Sequence, residues 1–240
     1  MKSLDRVTEN FHYYKDSLND KIWTSEDTLR PRIRKALMRI AEDFMDSLDI
    51  KVKIEDITFT GSLANYNYSP QSDIDLHVIV NFDKFKKHKD LAKGYFDKSR
   101  RIWNNKHKIT VKGYEVEVYV QDESEPHHSS GVYSIEKNDW IVVPLKISPN
   151  FDVDVVQKKA SDLMKRIDDA LTEDSSLSIL SRLKDKIVKM RSEGLEKEGE
   201  TSTENLVFKV LRRKGYLQKL MEAINIKYDQ SMTVEERVVS

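Results

Sequence analysis

At 240 residues, with 38% hydrophobic and 34% charged, the chain is long enough to bury a core and has the composition of a soluble, helix-rich globular protein rather than a disordered one. Lys plus Arg equals Asp plus Glu at 41 each, which excludes a global positive field able to hold a long nucleic acid and leaves only a local basic groove open. Cysteine is absent, so disulfides, thiolate zinc sites and cysteine nucleophiles are excluded together; the start at Met1 to Arg6 lacks the apolar stretch of a secretion signal, no run approaches the roughly 20 apolar residues of a membrane span, and a cytoplasmic protein is expected.

Leu4, Val7, Phe11, Tyr14 and Leu18 recur at steps of three and four, which predicts a first helix. A second is expected with Thr24 or Ser25 as its cap, Pro31 in or near its first turn, and Ile33, Leu37, Ile40, Ala41, Phe44 and Leu48 on its buried face. From Lys51 the period changes: Ile54 to Thr60 and Asp73 to Phe82 are rich in β-branched residues and read as strands around a loop or short helix. Phe85 to Trp103 reads as a basic helical excursion. Lys108 to Val120 returns to strand character as a hairpin turning at Lys112-Gly113, and Gly131 to Val143 reads as further sheet with a turn near Asn138-Asp139.

After Pro149 helices are expected over Val153 to Leu171, over Leu177 to about Gly194, and onward from a capping box at Thr201-x-x-Glu204. Leu206, Val210, Leu217 and Met221 mark the buried side of this last part, Gly215 breaks or kinks it, and the tail after about Tyr228 is expected to be polar and mobile. The expected fold class is α+β, a mixed sheet flanked by helices with a helical C-terminal lobe, divided into residues 1–149 and 150–240.

The chemistry gathers around one constellation. Thr60-Gly61-Ser62 follows a strand, and ten residues after Ser62 comes Ser72-Asp73-Ile74-Asp75 at the head of the apolar strand Leu76 to Val80. Alternation along a strand puts Asp73 and Asp75 on one face, with Cα atoms about 6.5–7 Å apart. Two carboxylates so placed repel each other unless a divalent cation neutralises them, and Mg²⁺ prefers oxygen ligands and brings phosphate oxygens as further ones. A third carboxylate belongs on a neighbouring strand. In Tyr114-Glu115-Val116-Glu117-Val118 both glutamates share a face, so either could serve; Glu117 is favoured because it lies deeper in the strand.

Gly61-Ser62, the spacer, Asp73-x-Asp75 and a later strand carrying Glu117 resemble the signature of the DNA polymerase β-like nucleotidyltransferases, over about Ile57 to Val120. More weakly, the stretch from Gly194-Leu195 to Phe208-Lys209 resembles phage-encoded members. The resemblance implies a nucleoside triphosphate donor, two Mg²⁺ ions for which Mn²⁺ can substitute, and transfer of a nucleoside monophosphate to a hydroxyl with release of pyrophosphate. Asp73 and Asp75 would bind both ions and Glu117 the one that activates the acceptor. Gly61 and Ser62 would meet the β- and γ-phosphates. The acceptor stays open among a small molecule, a protein, an RNA end and a second nucleotide. Competing readings are a catalytically silent nucleotide- or RNA-binding module, and a toxin or defence component that modifies a protein or tRNA.

Other residues carry weaker signals. Lys209, Arg212 and Arg213 form a basic helical face that could hold phosphate, against the default of a solvated face. His77 continues the face of Asp73 and Asp75, where a satisfied, partly buried histidine is the favoured reading. His127-His128 reads as loop rather than metal site. Tyr133 and Trp140 either stack a base or pack in the sheet. Lys84, Lys86, Lys87, Lys89 and Lys93 read as a wet basic run diluted by Asp90 and Asp97.

Overall fold

A computed structural model describes residues 15–70, 72–127, 129–146, 151–172 and 175–234. It divides into a sheet unit within residues 13–148 and a helical unit drawn mainly from residues 149–240. No helix of the described residues is long and apolar enough to cross a membrane.

The sheet unit enters through an irregular segment. Residues 15–18 are not helical, and the rest of the first predicted helix lies outside the described residues. Thr24 does not cap a helix. Its Oγ1 accepts from the Thr28 and Glu26 backbone N–H groups at 3.2 and 3.3 Å, closing a turn that brings Trp23 and Leu29 together as a β-bridge. Helix α1 instead runs Pro31–Asp46 with Arg30 at its N-cap and no side-chain cap. Proline suits that first position because its missing N–H would be unpaired there anyway.

Strand β1 spans Ile54–Thr60 and β2 spans Ile74–Val80, joined through a 3₁₀ turn at Ser62–Ala64. A second 3₁₀ segment, Phe82–His88, leads into α2 at Lys89–Lys106. Short β3 (Thr110–Val111) and long β4 (Tyr114–Asp122) form the expected hairpin, with Lys112 and Gly113 at φ 55° and 87°. Positive φ at both central positions gives the turn whose twist matches the strands. Strands β5 (Val132–Ser134) and β6 (Asp139–Val142) complete a mixed six-stranded sheet in the order β3-β4-β2-β1-β5-β6. Only β2 and β4 are parallel, and α2 lies in the crossover such a pairing needs.

The core follows from alternation. Ile74, Leu76, Val78 and Val80 of β2 and Val116 and Val118 of β4 are buried with Ile57 and Phe59 of β1, against Leu37, Ala41 and Phe44 of α1 and Phe96 of α2. Because β3 is so short, β4 has β2 on one side at Val118 but no strand on the other. The Asn104 amide of α2 takes that place, donating to the Val118 carbonyl and accepting from its N–H, both at 3.0 Å.

The helical unit contains α3 (Val153–Ala170), α4 (Leu177–Glu198), α5 (Thr203–Arg213) and α6 (Tyr216–Met232). The expected capping box is displaced by one residue. Ser202 is the cap of α5, accepting from the Asn205 N–H at 3.3 Å, while Glu204 turns to Lys159 at 2.5 Å. Gly215, at φ 75°, separates α5 from α6 and resets the helical phase, so Leu220 is buried whereas Met221 is 44% exposed, contrary to expectation. Helix α6 also continues past Tyr228 to Met232, where a mobile tail was expected; residues 235–240 lie outside the described residues.

Candidate active site

The parallel register of β2 and β4 builds the site. Asp75 pairs with Glu117 and Leu76 with Val118, so the leucine and valine enter the core and the two carboxylates share the opposite face. Asp73, one residue before β2, has the same orientation. One carboxylate oxygen from each of Asp73, Asp75 and Glu117 can be chosen so that all three lie within 4.8 Å of one another, and each residue is half-buried. Asp73 and Glu117 enter no ion pair among the described residues. Three converging hard oxygen donors of like charge fit a divalent cation such as Mg²⁺. Glu115 is elsewhere: it pairs with Lys108 at 2.9 Å on the hairpin.

The loop after β1 closes against this cluster. Gly61 has φ 80° and ψ −165°, a conformation open essentially to glycine alone, and a Cβ there would fall 1.9 Å from Asp75 Oδ2. The Gly61 N–H reaches Ser129 Oγ at 3.4 Å. Ser62 Oγ and Ser72 Oγ share a hydrogen bond of 2.7 Å, tying the loop to the residue that precedes Asp73. A Cβ on Gly131 would meet the Ala64 carbonyl oxygen at 2.0 Å, so the approach to β5 is as closely packed against this loop as β2 is.

Beyond the carboxylates, the same face carries His77 and Tyr119, paired across β2 and β4. The Tyr119 hydroxyl donates to Glu117 Oε2 at 2.6 Å. Burial, that hydrogen bond and the nearby carboxylates push the phenol well above its ordinary range, so it remains a donor. His77 Nδ1 is 2.9 Å from Gln121 Oε1, and burial draws the imidazole below its usual pKa against the opposing pull of that bond. This is the satisfied histidine the alternation suggests. A cavity of about 570 Å³ opens here, lined among others by His77, Arg100, Tyr119, Gln121, His127 and Ser129. Sequence reasoning missed Tyr119 and Arg100. The i, i+2 spacing from Glu117 could have pointed to the tyrosine, but nothing in the sequence pairs Arg100 with it.

Tyr133 is fully buried and meets Trp23 edge-on at 5.0 Å, while Trp140 stacks on Trp23 at 4.7 Å and donates its Nε1–H to the Asp27 carbonyl. Both rings are committed to packing. Lys84, Lys89 and Lys93 pair with Glu55, Asp83 and Glu125, so the basic run is largely neutralised. His127 lines the cavity, and His128 lies outside the described residues. Lys209, Arg212 and Arg213 stand on α5 in the helical unit, the lysine half-buried and the arginines exposed.

Residues 38–139, from α1 to the start of β6, match the family model described as a nucleotidyltransferase domain. The stretch contains Gly61, Ser62 and all three carboxylates, and it is a nucleotidyltransferase domain of the polymerase β-like superfamily. The protein that carries it is a nucleotidyltransferase, whose general reaction is the transfer of a nucleoside monophosphate. No curated protein matches the chain. One solved structure with a detectable likeness is the Rhodothermus marinus CdnE c-UMP-AMP synthase with Apcpp and Upnpp, at 10% identity and a TM-score of 0.26 over 88% of this chain and 96% of that one. So slight a superposition bears on neither the fold nor the chemistry of this chain.

Proposed function

We propose that the sheet unit transfers a nucleoside monophosphate from a nucleoside triphosphate to a hydroxyl acceptor, with two Mg²⁺ ions held by Asp73, Asp75 and Glu117. The observation that carries this reading is the convergence of the three carboxylates within 4.8 Å beside a glycine that can hold no side chain. In the reaction the acceptor oxygen bonds to the α-phosphorus while the bridging oxygen departs with pyrophosphate, and the hydroxyl proton passes to solvent. Divalent ions bound here supply charge neutralisation and a more acidic acceptor hydroxyl. Asp73 and Asp75 would hold both ions from the head of β2, and Glu117 would hold the acceptor-side ion from β4. The Gly61 and Ser62 loop offers a close backbone approach and a hydroxyl donor to the β- and γ-phosphates.

The cavity beside Tyr119 is where we place the acceptor. Its cations Lys93 and Arg100 are already paired with Glu125 and Asp97 at 2.7 and 2.9 Å, which leaves no surplus positive charge for a long polyanion. This favours a small acceptor over a nucleic-acid chain.

The test incubates the protein with each labelled triphosphate and Mg²⁺ or Mn²⁺, with and without cellular RNA and small metabolites, and follows the label. Asp75→Ala is expected to abolish labelling while melting no lower than wild type, because one of three repelling charges is gone. Glu117→Gln is expected to lose turnover yet retain triphosphate binding, and Glu115→Gln to behave as wild type. Equal labelling by wild type and Asp75→Ala overturns the assignment. Triphosphate binding without any labelled product identifies a binding module instead.

A further inference from the structure

Tyr119 follows Glu117 by two residues on β4, so the pleat presents both on the triad's face, and the 2.6 Å bond from its hydroxyl is the contact that holds Glu117 Oε2. The tyrosine is itself held. The Arg100 guanidinium lies 4.6 Å over its ring, and Arg100 Nε bonds Asp97 at 2.9 Å. The His77 imidazole packs on the ring with centroids 5.0 Å apart, fixed in turn by Gln121. A chain of contacts thus runs from Asp97 on α2 through Arg100 and Tyr119 to the third carboxylate. Helix α2 is anchored to the same strand by the Asn104 amide at Val118, the residue between Glu117 and Tyr119 on β4, which keeps Arg100 in place.

Glu117 needs such support more than its partners do. A glutamate side chain has one more rotatable bond than an aspartate and loses more rotamer freedom on being fixed. Two like charges nearby also push it outward before a cation binds. A hydroxyl dipole aimed at Oε2 opposes both effects.

We propose that Tyr119 is a positioning residue for Glu117: clamped by Arg100 and His77, its hydroxyl holds the carboxylate toward Asp73 and Asp75, so that the third corner of the metal site is set before the cation arrives. This rests on the proposed metal site, and the experiment separates the two. Mn²⁺ binding to the full chain is measured by electron paramagnetic resonance for wild type, Tyr119→Phe, Arg100→Met and Glu115→Gln, with thermal melting alongside. Removing a group that orients a metal ligand typically weakens metal binding 10–100-fold. Tyr119→Phe is therefore expected to bind Mn²⁺ about tenfold more weakly while melting within a few degrees of wild type. Arg100→Met, which keeps the hydroxyl but frees the ring, should show a smaller loss, and Glu115→Gln none.

Unchanged Mn²⁺ affinity in Tyr119→Phe overturns the proposal, including the case where its melting point falls, since that pattern marks a purely structural tyrosine. If Tyr119→Phe does not fold, Arg100→Met decides by the same criterion. Wild-type protein that binds no Mn²⁺ defeats the metal site itself.

Discussion

At Gly61 the main chain runs so close to Asp75 that a methyl group would stand 1.9 Å from Oδ2, and the backbone there sits at φ 80°. Two separate penalties therefore act on Gly61→Ala. The left-handed extended conformation costs on the order of 1–3 kcal/mol for any side chain, and the Asp75 carboxylate must swing away from Asp73 and Glu117. The expected outcome is a chain that still folds, with its urea midpoint lowered by an amount equivalent to about 1–3 kcal/mol, and nucleotide transfer reduced far more than stability. Transfer at the wild-type rate would show that the loop does not brace the aspartate. Ser62 is coupled to the same point through Ser72, which makes residues 61–62 and 72–75 one hydrogen-bonded unit rather than two motifs.

Among the elements, β4 and α5 show how local pattern and tertiary demand divide the outcome. The alternation of β4 is fully expressed: Val116 and Val118 are in the core and Glu117 faces the site. Its register against β2 is what brings Glu117 rather than Glu115 beside Asp75. In α5 the Thr201-x-x-Glu204 pattern is outcompeted. Lys159 draws Glu204 away, and Gly194 leaves room for α4 to pack against Ser202 and Glu204. Capping accordingly falls to Ser202, and Ser202→Ala is expected to destabilise the protein by about 1 kcal/mol in urea unfolding, with Thr201→Ala within about 0.5 kcal/mol of wild type. Equal losses in the two variants would restore the capping box.

Over the whole molecule, the carboxylates, the Gly61 loop, the Tyr119 clamp and the cavity all belong to residues 13–148. A fragment of that span is expected to unfold cooperatively and to bind Mn²⁺ within about threefold of the full chain, about 0.6 kcal/mol. Failure to fold would show that the division does not mark independent units. The sequence by itself determined the strands, the hairpin turn at Lys112-Gly113 and the candidate triad, because period-two alternation, positive-φ turn residues and short motif spacing are local properties. It also predicted that Asp73 and Asp75 share a face. Only the tertiary structure decided between the two glutamates, since register arises from pairing with a distant strand. The same is true of Tyr119 under Arg100, of the retreat of Tyr133 and Trp140 around Trp23, and of the cap at Ser202. Each depends on a group brought in from elsewhere in the chain, the cap at Ser202 through Lys159, which draws Glu204 away, and chain pattern carries no information about which distant group will supply the lower-energy contact.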